Sequence, residues 1–292
     1  MASKDVSDWI NYSVIVVDKH AGPTSHQVSG WLRDMLGLKK VGHTGTLDPM
    51  VTGVLPILLG DCVKAMPLFS GSHKEYVGVM HLHHEVPREK IDQVVSEFIG
   101  KISQRPPKKS AVARRERERE IFEFEILDVD GNDILFRTKT EAGTYIRKLC
   151  HDMGQRMGVG AHMAELRRTK AGVFNESHAH SLMEVKDALE MAKNGDASMI
   201  EKIAIPIERG LGNAKKVWAK ESAIETILKG SPLYVIGVEK CDDGIVRGET
   251  VAVLSDGGKL VAIGIAKMDS SEIAKRKKGS AVRTDRLVRT SI

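Results

Sequence analysis

Two apolar spacings alternate along this chain, and the places where one gives way to the other mark its elements. Ser13 to Val17 is a run dominated by β-branched residues that ends in a polar turn holding Gly22 and Pro23, which predicts a strand running into a loop. Val28, Trp31, Leu32, Met35 and Leu36 fall at i, i+3, i+4, i+7 and i+8, the stripe of a helix closed by Gly37. From Val41 to Gly60 there are too many Gly, Thr and Pro residues for either period until Val54 to Leu59, so this stretch reads as a structured loop leading into a buried segment. Tyr76 to Leu82 fits a strand, and Ile91, Val94, Val95, Phe98 and Ile99 fit a second helix ended by Gly100. Phe122, Phe124 and Ile126 alternate with Glu123 and Glu125, and Asp130-Gly131 turns that half-exposed strand into another, Ile134 to Thr140. Ile146, Leu149, Cys150, Met153 and Met157 place a helix after Gly143, and the capping box Ser181-Leu-Met-Glu184 opens one that runs through Ala192. The expected fold class is α+β.

Asn194 to Ala214 holds turn residues and little periodicity, which makes it the expected linker. After Lys215 one short helix, Glu221 to Leu228, precedes short β runs separated by Gly237, Asp243-Gly244, Gly248 and Gly257-Gly258, the spacing of a small β-barrel. No internal repeat is visible. The expected division is therefore a large unit over 1–213 and a small one over 214–292.

A chain of 292 residues can hold both units. With 41% hydrophobic and 28% charged residues it has an ordinary globular composition, and no apolar run approaches the roughly 18 residues of a membrane span. Met1 to Tyr12 lacks the basic start, apolar middle and cleavage site of a secretory signal, so a cytoplasmic location is expected. Cys62, Cys150 and Cys241 stand far apart without a CxxC pair, which supports neither a disulfide framework nor a zinc site and predicts small buried hydrophobes. The net charge of +5 inclines towards a polyanionic partner but is shared by many proteins that bind no nucleic acid.

The densest chemical signal is Gly42-His-Thr-Gly-Thr-Leu-Asp-Pro-Met-Val-Thr-Gly-Val-Leu55. Its glycines allow close backbone approach to a ligand, and Pro49 stiffens the chain directly after Asp48, so a carboxylate able to attack carbon is presented from a constrained loop. Asp before Pro is also ordinary turn chemistry. The block resembles the catalytic motif of the TruB and dyskerin family of pseudouridine synthases. The resemblance extends through Lys19 with Gly22-Pro-Thr-Ser-His26, Lys74-Glu-Tyr76, Gln104-Arg-Pro-Pro107 with Ser110-Ala-Val112, Gly143-Thr-Tyr-Ile-Arg-Lys-Leu149, and Ala164-Glu-Leu-Arg-Arg168 with Gly172.

That resemblance implies a mixed-sheet catalytic domain that isomerises uridine to pseudouridine in RNA, followed by a small C-terminal β-barrel PUA domain. Asp48 matches the essential aspartate, and the reaction requires no cofactor or metal because it involves neither redox change nor hydrolysis. A carboxylate in a closed, base-sized pocket needs a neighbouring cation to stay ionised, and by resemblance Arg147 is that cation. Tyr76 resembles the tyrosine that stacks on the target base. His43 resembles the residue that fills the space left by the flipped nucleotide, and Leu166 the pocket-wall leucine. Lys19 and Tyr145 complete the expected substrate contacts. Arg114 and Arg115, in a run of alternating charges, and Lys275, Lys277 and Lys278 are the expected RNA contacts outside the pocket.

Lys19 is followed by His20 where the family most often has proline, and Phe122 stands near a position often held by tyrosine. His81-Leu-His83, the Pro-Pro block and Leu149-Cys150 resemble the archaeal and eukaryotic dyskerin branch. This leaves two substrates open: the T-loop uridine of transfer RNA, or ribosomal RNA selected by a guide RNA in a box H/ACA particle with small partner proteins. Two other readings make distinct predictions. A non-catalytic RNA-binding scaffold would show no activity for Asp48→Asn to lose, and a metal-dependent nuclease using His43 and Asp48 would cleave RNA until chelated, although such enzymes usually gather several carboxylates.

Overall fold

The computed structural model describes residues 9–105 and 115–289, so Arg114 and the residues 106–112 of the Pro-Pro block lie outside the described residues. The first half runs β1 (Ser13–Lys19), α1 (Ser25–Met35), β2 (Val41–His43), β3 (Thr52–Leu59), β4 (Lys74–Leu82), α2 (Arg88–Glu97), β5 (Gly100–Gln104), β6 (Arg117–Asp130) and β7 (Asp133–Thr140). It continues through α3 (Ile146–Met157), β8 (Ala161–Ala171), β9 (Phe174–Asn175), β10 (Ala179–His180), α4 (Leu182–Lys193), α5 (Ser198–Ile203), β11 (Ala204–Pro206) and α6 (Ile207–Gly210). These strands form one mixed sheet in the order β10-β1-β3-β8-β4-β7-β6-β5, with β11 pairing β1, β2 pairing β3 and β9 pairing β8.

The two-residue period of a strand sorts side chains into two cores. On β1 and β3, Ile15, Val17, Leu55, Ile57 and Leu59 join the core beneath α1 and α3, while Val14, Val16, Val54 and Leu58 face the other way. That second face joins a core built with Cys62, Ala65, Phe69, Phe174, Ile207 and Leu211, to which the C-terminal unit adds. This unit runs β12 (Lys216–Ala219), α7 (Glu221–Leu228), β13 (Leu233–Tyr234), β14 (Val238–Cys241), β15 (Thr250–Ser255), β16 (Leu260–Ala266), α8 (Ser270–Lys275) and β17 (Ser280–Leu287). Its sheet, ordered β13-β17-β16-β15-β12-β14, is barrel-like and encloses a core of its own around Val217, Ile227, Val253, Val261 and Val282. Ala252, Leu254, Leu260, Ile263 and Val288 complete that core where β15 and β17 meet the helical turn Gly60–Leu68, and the Glu208–Arg289 pair at 2.9 Å seals the seam.

Several expectations are met. The Asp130-Gly131 turn joins β6 to β7, with Gly131 at φ +54, and Ser181 and Glu184 form the reciprocal cap on α4. Cys62 and Cys150 are buried, which pushes the Cys150 thiol up to about 12, whereas Cys241, at the end of β14, is only partly buried.

Three differences are instructive. Trp31 points outward at 46% exposure, because Ser25 and Ser29, not Trp31, lie beside Val28 and Leu32 on the packed face of α1. Residues 194–214 are not a linker: they fold into α5, β11 and α6, and bury Ile200, Ile203, Ile207 and Leu211 at spacings of three and four. The central strand β8 was not legible, because its inward positions include a polar one, Arg168. Among the described residues no helix is long and apolar enough to cross a membrane.

The closest backbone approach in the sheet lies at Gly53, where β3 meets β8: at φ +100, a Cβ would come within 2.2 Å of the Arg168 carbonyl oxygen. Gly53→Ala must therefore strain both the torsion and the strand pair, and is expected to cost at least about 2 kcal/mol in urea unfolding. A loss below about 0.5 kcal/mol would contradict this account of the site.

Candidate active site

Asp48 stands in the loop 44–51 between β2 and β3, and the backbone around it is tied down from four sides. Thr44 donates its N–H to the Pro56 carbonyl at 3.0 Å. The buried Ser25 hydroxyl accepts from Leu47 N at 2.8 Å and donates to Leu47 O at 3.0 Å. The Pro49 carbonyl accepts from Gly22 N at 2.9 Å and from Lys19 Nζ, also at 2.9 Å. Lys19 uses its other donors on Val51 O at 2.7 Å and His20 O at 3.0 Å, so a side chain that is 1% exposed spends all three N–H groups on backbone carbonyls. Its partner His20 contributes main chain only, so proline's absence there leaves this contact in place.

Beneath the loop lies Arg168, the largest fully buried side chain, which donates to Val54 O at 2.8 Å and Gly45 O at 3.1 Å. Its guanidinium also interacts with the Tyr76 hydroxyl, and burial pushes its pKa below the ordinary arginine value. Lys74, 6% exposed, lies close by, its Cε as near as Arg168 Nη1 to the space a Cβ on Gly45 would fill. Burial lowers the Lys19 pKa, the charge of Asp48 raises it and that of Arg168 lowers it, which places these three groups in one electrostatic neighbourhood. Burial, then Arg168, then His26 also lower the pKa of His43, whose buried Nδ1 has no hydrogen-bond partner among the described residues.

The long-range event is the meeting of Asp48 with Arg147. Arg147 Nη2 donates to Asp48 Oδ2 at 2.6 Å across 99 residues of sequence. The guanidinium comes from the first turn of α3, a turn with no acidic residue, where the helix dipole disfavours a cation and the carboxylate offsets that cost. The two side chains are 52% and 47% exposed, so the pair is open to solvent and is not enclosed in the closed, base-sized pocket expected for it.

Of the other expected residues, Tyr76 is 9% exposed on β4, registered against Arg168 of β8. Leu166 lies two residues before Arg168 on the same face, at 8% exposure, against Gly78 and Phe136. Tyr145 is the half-buried N-cap of α3. Arg115 is exposed just before β6, and Lys275, at the end of α8, and Lys277 and Lys278, in the bend before β17, are exposed on the C-terminal unit. Arg168, Lys74 and Gln104 carried no expected role, although all three fall inside the family-like blocks; their places in those blocks were the one signal in the sequence. Among the described residues no three His, Cys, Asp or Glu side chains converge as a metal ion would require.

Comparison with known proteins places this geometry in context. The model of the TruB family pseudouridylate synthase N-terminal domain matches residues 33–146, that of the tRNA pseudouridylate synthase B C-terminal domain matches 147–212, and that of the PUA domain matches 215–288. The chain is 49% identical over 285 residues to "Probable tRNA pseudouridine synthase B" of Methanocaldococcus jannaschii, covering 97% of this chain and 85% of the relative. A protein of the same name from Nanoarchaeum equitans is 45% identical over 286 residues, covering 98% and 82%. Among solved structures, a chain of a Cbf5-Nop10-Gar1 complex matches with a TM-score of 0.93 at 43% identity, over 97% of this chain and 87% of that one. A chain of an H/ACA RNP bound to a substrate RNA containing 2'-deoxyuridine matches with a TM-score of 0.91 at 41% identity, over 97% and 87%.

The buried cations yield a measurable pH dependence. Burial first, and the Arg168 charge second, push the Lys74 pKa down to about 8 from 10.5. Between these values the unfolded chain binds more protons here than the folded one, so this group makes stability climb as pH rises through the window and exerts its full penalty below it. Lys74→Met should flatten that climb by up to about 3 kcal/mol, read from urea midpoints across the window. An unchanged profile would show that Lys74 does not titrate as its burial demands.

Proposed function

The chain belongs to the TruB family of pseudouridine synthases, RNA-modifying isomerases, and we propose that Asp48 is its catalytic carboxylate and Arg147 the cation that orients it. One observation carries this reading: the 2.6 Å contact between two side chains 99 residues apart, one on a loop whose main chain is immobilised and the other on the first turn of a helix.

The reaction breaks the N1–C1′ glycosidic bond, rotates the uracil, joins C5 to C1′, and exchanges protons, C5 releasing one and the freed N1 taking one up. Atoms and electrons balance without a second substrate. A carboxylate starts it by adding to C6 or to C1′, and both routes need the oxygen held at a defined place beneath an extruded base. Lys19 and Ser25 supply that placement by holding the loop, so Lys19 acts in this reading through backbone carbonyls and not through the substrate. Tyr76 offers a ring for stacking, with its hydroxyl directed by Arg168. His43 fills the gap left by the nucleotide, Leu166 forms the wall beside Tyr76, and Tyr145 contacts substrate from the start of α3.

The cations Lys19, Arg168, Lys74 and Arg147 give the site a positive field suited to RNA phosphates and hostile to a divalent metal, which argues against the nuclease reading. We take 1–213 as the catalytic domain and 214–292 as a PUA RNA-binding domain, with Arg114, Arg115, Lys275, Lys277 and Lys278 as phosphate contacts. The curated relatives' names support transfer RNA as substrate, and the Cbf5 complexes support guide-directed ribosomal RNA with small H/ACA partner proteins. Both substrates belong to this proposal, in a cytoplasmic protein. Guide-RNA binding, together with turnover on transfer RNA without guide, separates them.

Tritium release from RNA labelled at uridine C5 tests the catalytic assignment: Asp48→Asn should abolish it while leaving RNA affinity within about threefold, and release that persists would refute the role of Asp48. Arg147→Ala should slow single-turnover release about a hundredfold with a much smaller change in Kd. Equal losses in both would mean that the arginine merely grips RNA. Replacing Lys275, Lys277 and Lys278 together by Ala should lower the salt slope of RNA binding by about two units without slowing turnover of bound RNA, and an unchanged slope would remove them from the interface.

A further inference from the structure

Arg147 is more than half exposed, so neighbouring side chains do not pack it into place, and its reach to Asp48 is set by where α3 begins. That starting point is gripped by a residue from elsewhere in the sheet. Gln104, the last residue of β5 and only 2% exposed, accepts from Tyr145 N at 3.0 Å and donates through Nε2 to Tyr145 O at 3.2 Å. Tyr145 is the N-cap of α3, its own side chain makes no cap bond, and its carbonyl also receives the first helical bond, from Leu149 N at 3.0 Å. Arg147 follows two residues later. The approach to the helix is held further back, where Glu120 N donates to Glu141 Oε2 at 3.3 Å and Thr144 Oγ1 donates to Glu141 O at 2.9 Å. The segment 141–145 is therefore tied at one end to β6 and at the other to Gln104.

We propose that Gln104 is a positioning residue for the pseudouridine synthase reaction, its buried carboxamide setting the first turn of α3 so that the Arg147 guanidinium meets Asp48. The inference rests on the catalytic reading of that pair. The chemistry of the position is specific. A carboxamide offers a donor and an acceptor in one plane to the N–H and C=O of one residue at any pH; asparagine is a methylene too short, and an ionised glutamate lacks the donor. Loss of the grip need shift the helix start by only about 1 Å to break a charge-assisted bond of this length, and displacements of that size cost catalysis heavily.

The test is a double-mutant cycle in single-turnover tritium release, with RNA affinity, circular dichroism and thermal unfolding measured alongside. Gln104→Leu should slow release by about tenfold or more with Kd within about twofold, and should slow the Arg147→Ala chain less than about twofold, since the arginine it positions is already gone. Multiplicative losses in the double variant, or normal turnover in Gln104→Leu, would overturn the proposal while leaving the Arg147 assignment intact. An Arg147→Ala chain with undiminished turnover would overturn that assignment and this proposal together. Should Gln104→Leu not fold, Gln104→Glu carries the test: its neutral acid form restores a donor to Tyr145 O, so its turnover relative to the unsubstituted chain should rise as pH falls from about 7 to about 5. A ratio independent of pH would overturn the proposal.

Discussion

The structure turns on the immobilised backbone of the loop that carries Asp48. Gly45, Leu47, Pro49 and Val51 are each held by a side chain rooted in a strand or helix: Arg168, Ser25 and, for the last two, Lys19. A loop in water normally samples many conformations, and ordering each residue costs about 1–2 kcal/mol. Here that cost is met by bonds from buried side chains, charge-assisted from Lys19 and Arg168 and neutral from Ser25. The consequence is a carboxylate whose main chain is fixed in advance of any ligand, while the carboxylate itself remains open to solvent on one side.

Burying Lys19, Lys74 and Arg168 is expensive, and the lowered pKa of each records that expense. No acidic residue appears among the buried polar and charged side chains of the described residues, so no buried carboxylate neutralises these cations. Backbone carbonyls do part of that work, and the half-exposed Asp48 charge, which raises the Lys19 pKa, does another part. A group of buried cations beneath one accessible carboxylate is a poor arrangement for stability alone. It suits a protein that must present an anion to a polyanionic partner without repelling that partner.

The same strands that anchor the loop also carry the second unit. Because β1 and β3 are buried on both faces, the apolar residues that support the loop from one side and the residues that seat the C-terminal sheet on the other belong to the same two strands. The C-terminal unit is thus no pendant held by a flexible tether. Its removal would open the core that Val14, Val16, Val54 and Leu58 share with Ala252, Leu254 and Ile263, which is why its charged edge, and not its presence, is the part that can be varied cleanly.

Local pattern sufficed wherever neighbours in sequence decide the outcome. The Asp130-Gly131 hairpin turn, the Ser181 capping box, the two-residue alternation of β4 and the stripe of α3 depend on contacts within a few residues, and all could be read from the chain. The family-like blocks made Asp48 and Arg147 legible as a pair, though spacing alone said nothing of their meeting. Other features were hidden because their cause is distant. β8 conceals its period since an arginine fills an inward position, tolerable only where Val54 and Gly45 present their carbonyls to it. Residues 194–214 resemble a linker until β1 offers an edge for β11. Gln104 looks like any polar strand end until Tyr145 arrives from 41 residues away. A hydrophobic period is a property of a segment, whereas the burial of a charge is a property of the partners that the closed chain brings to it.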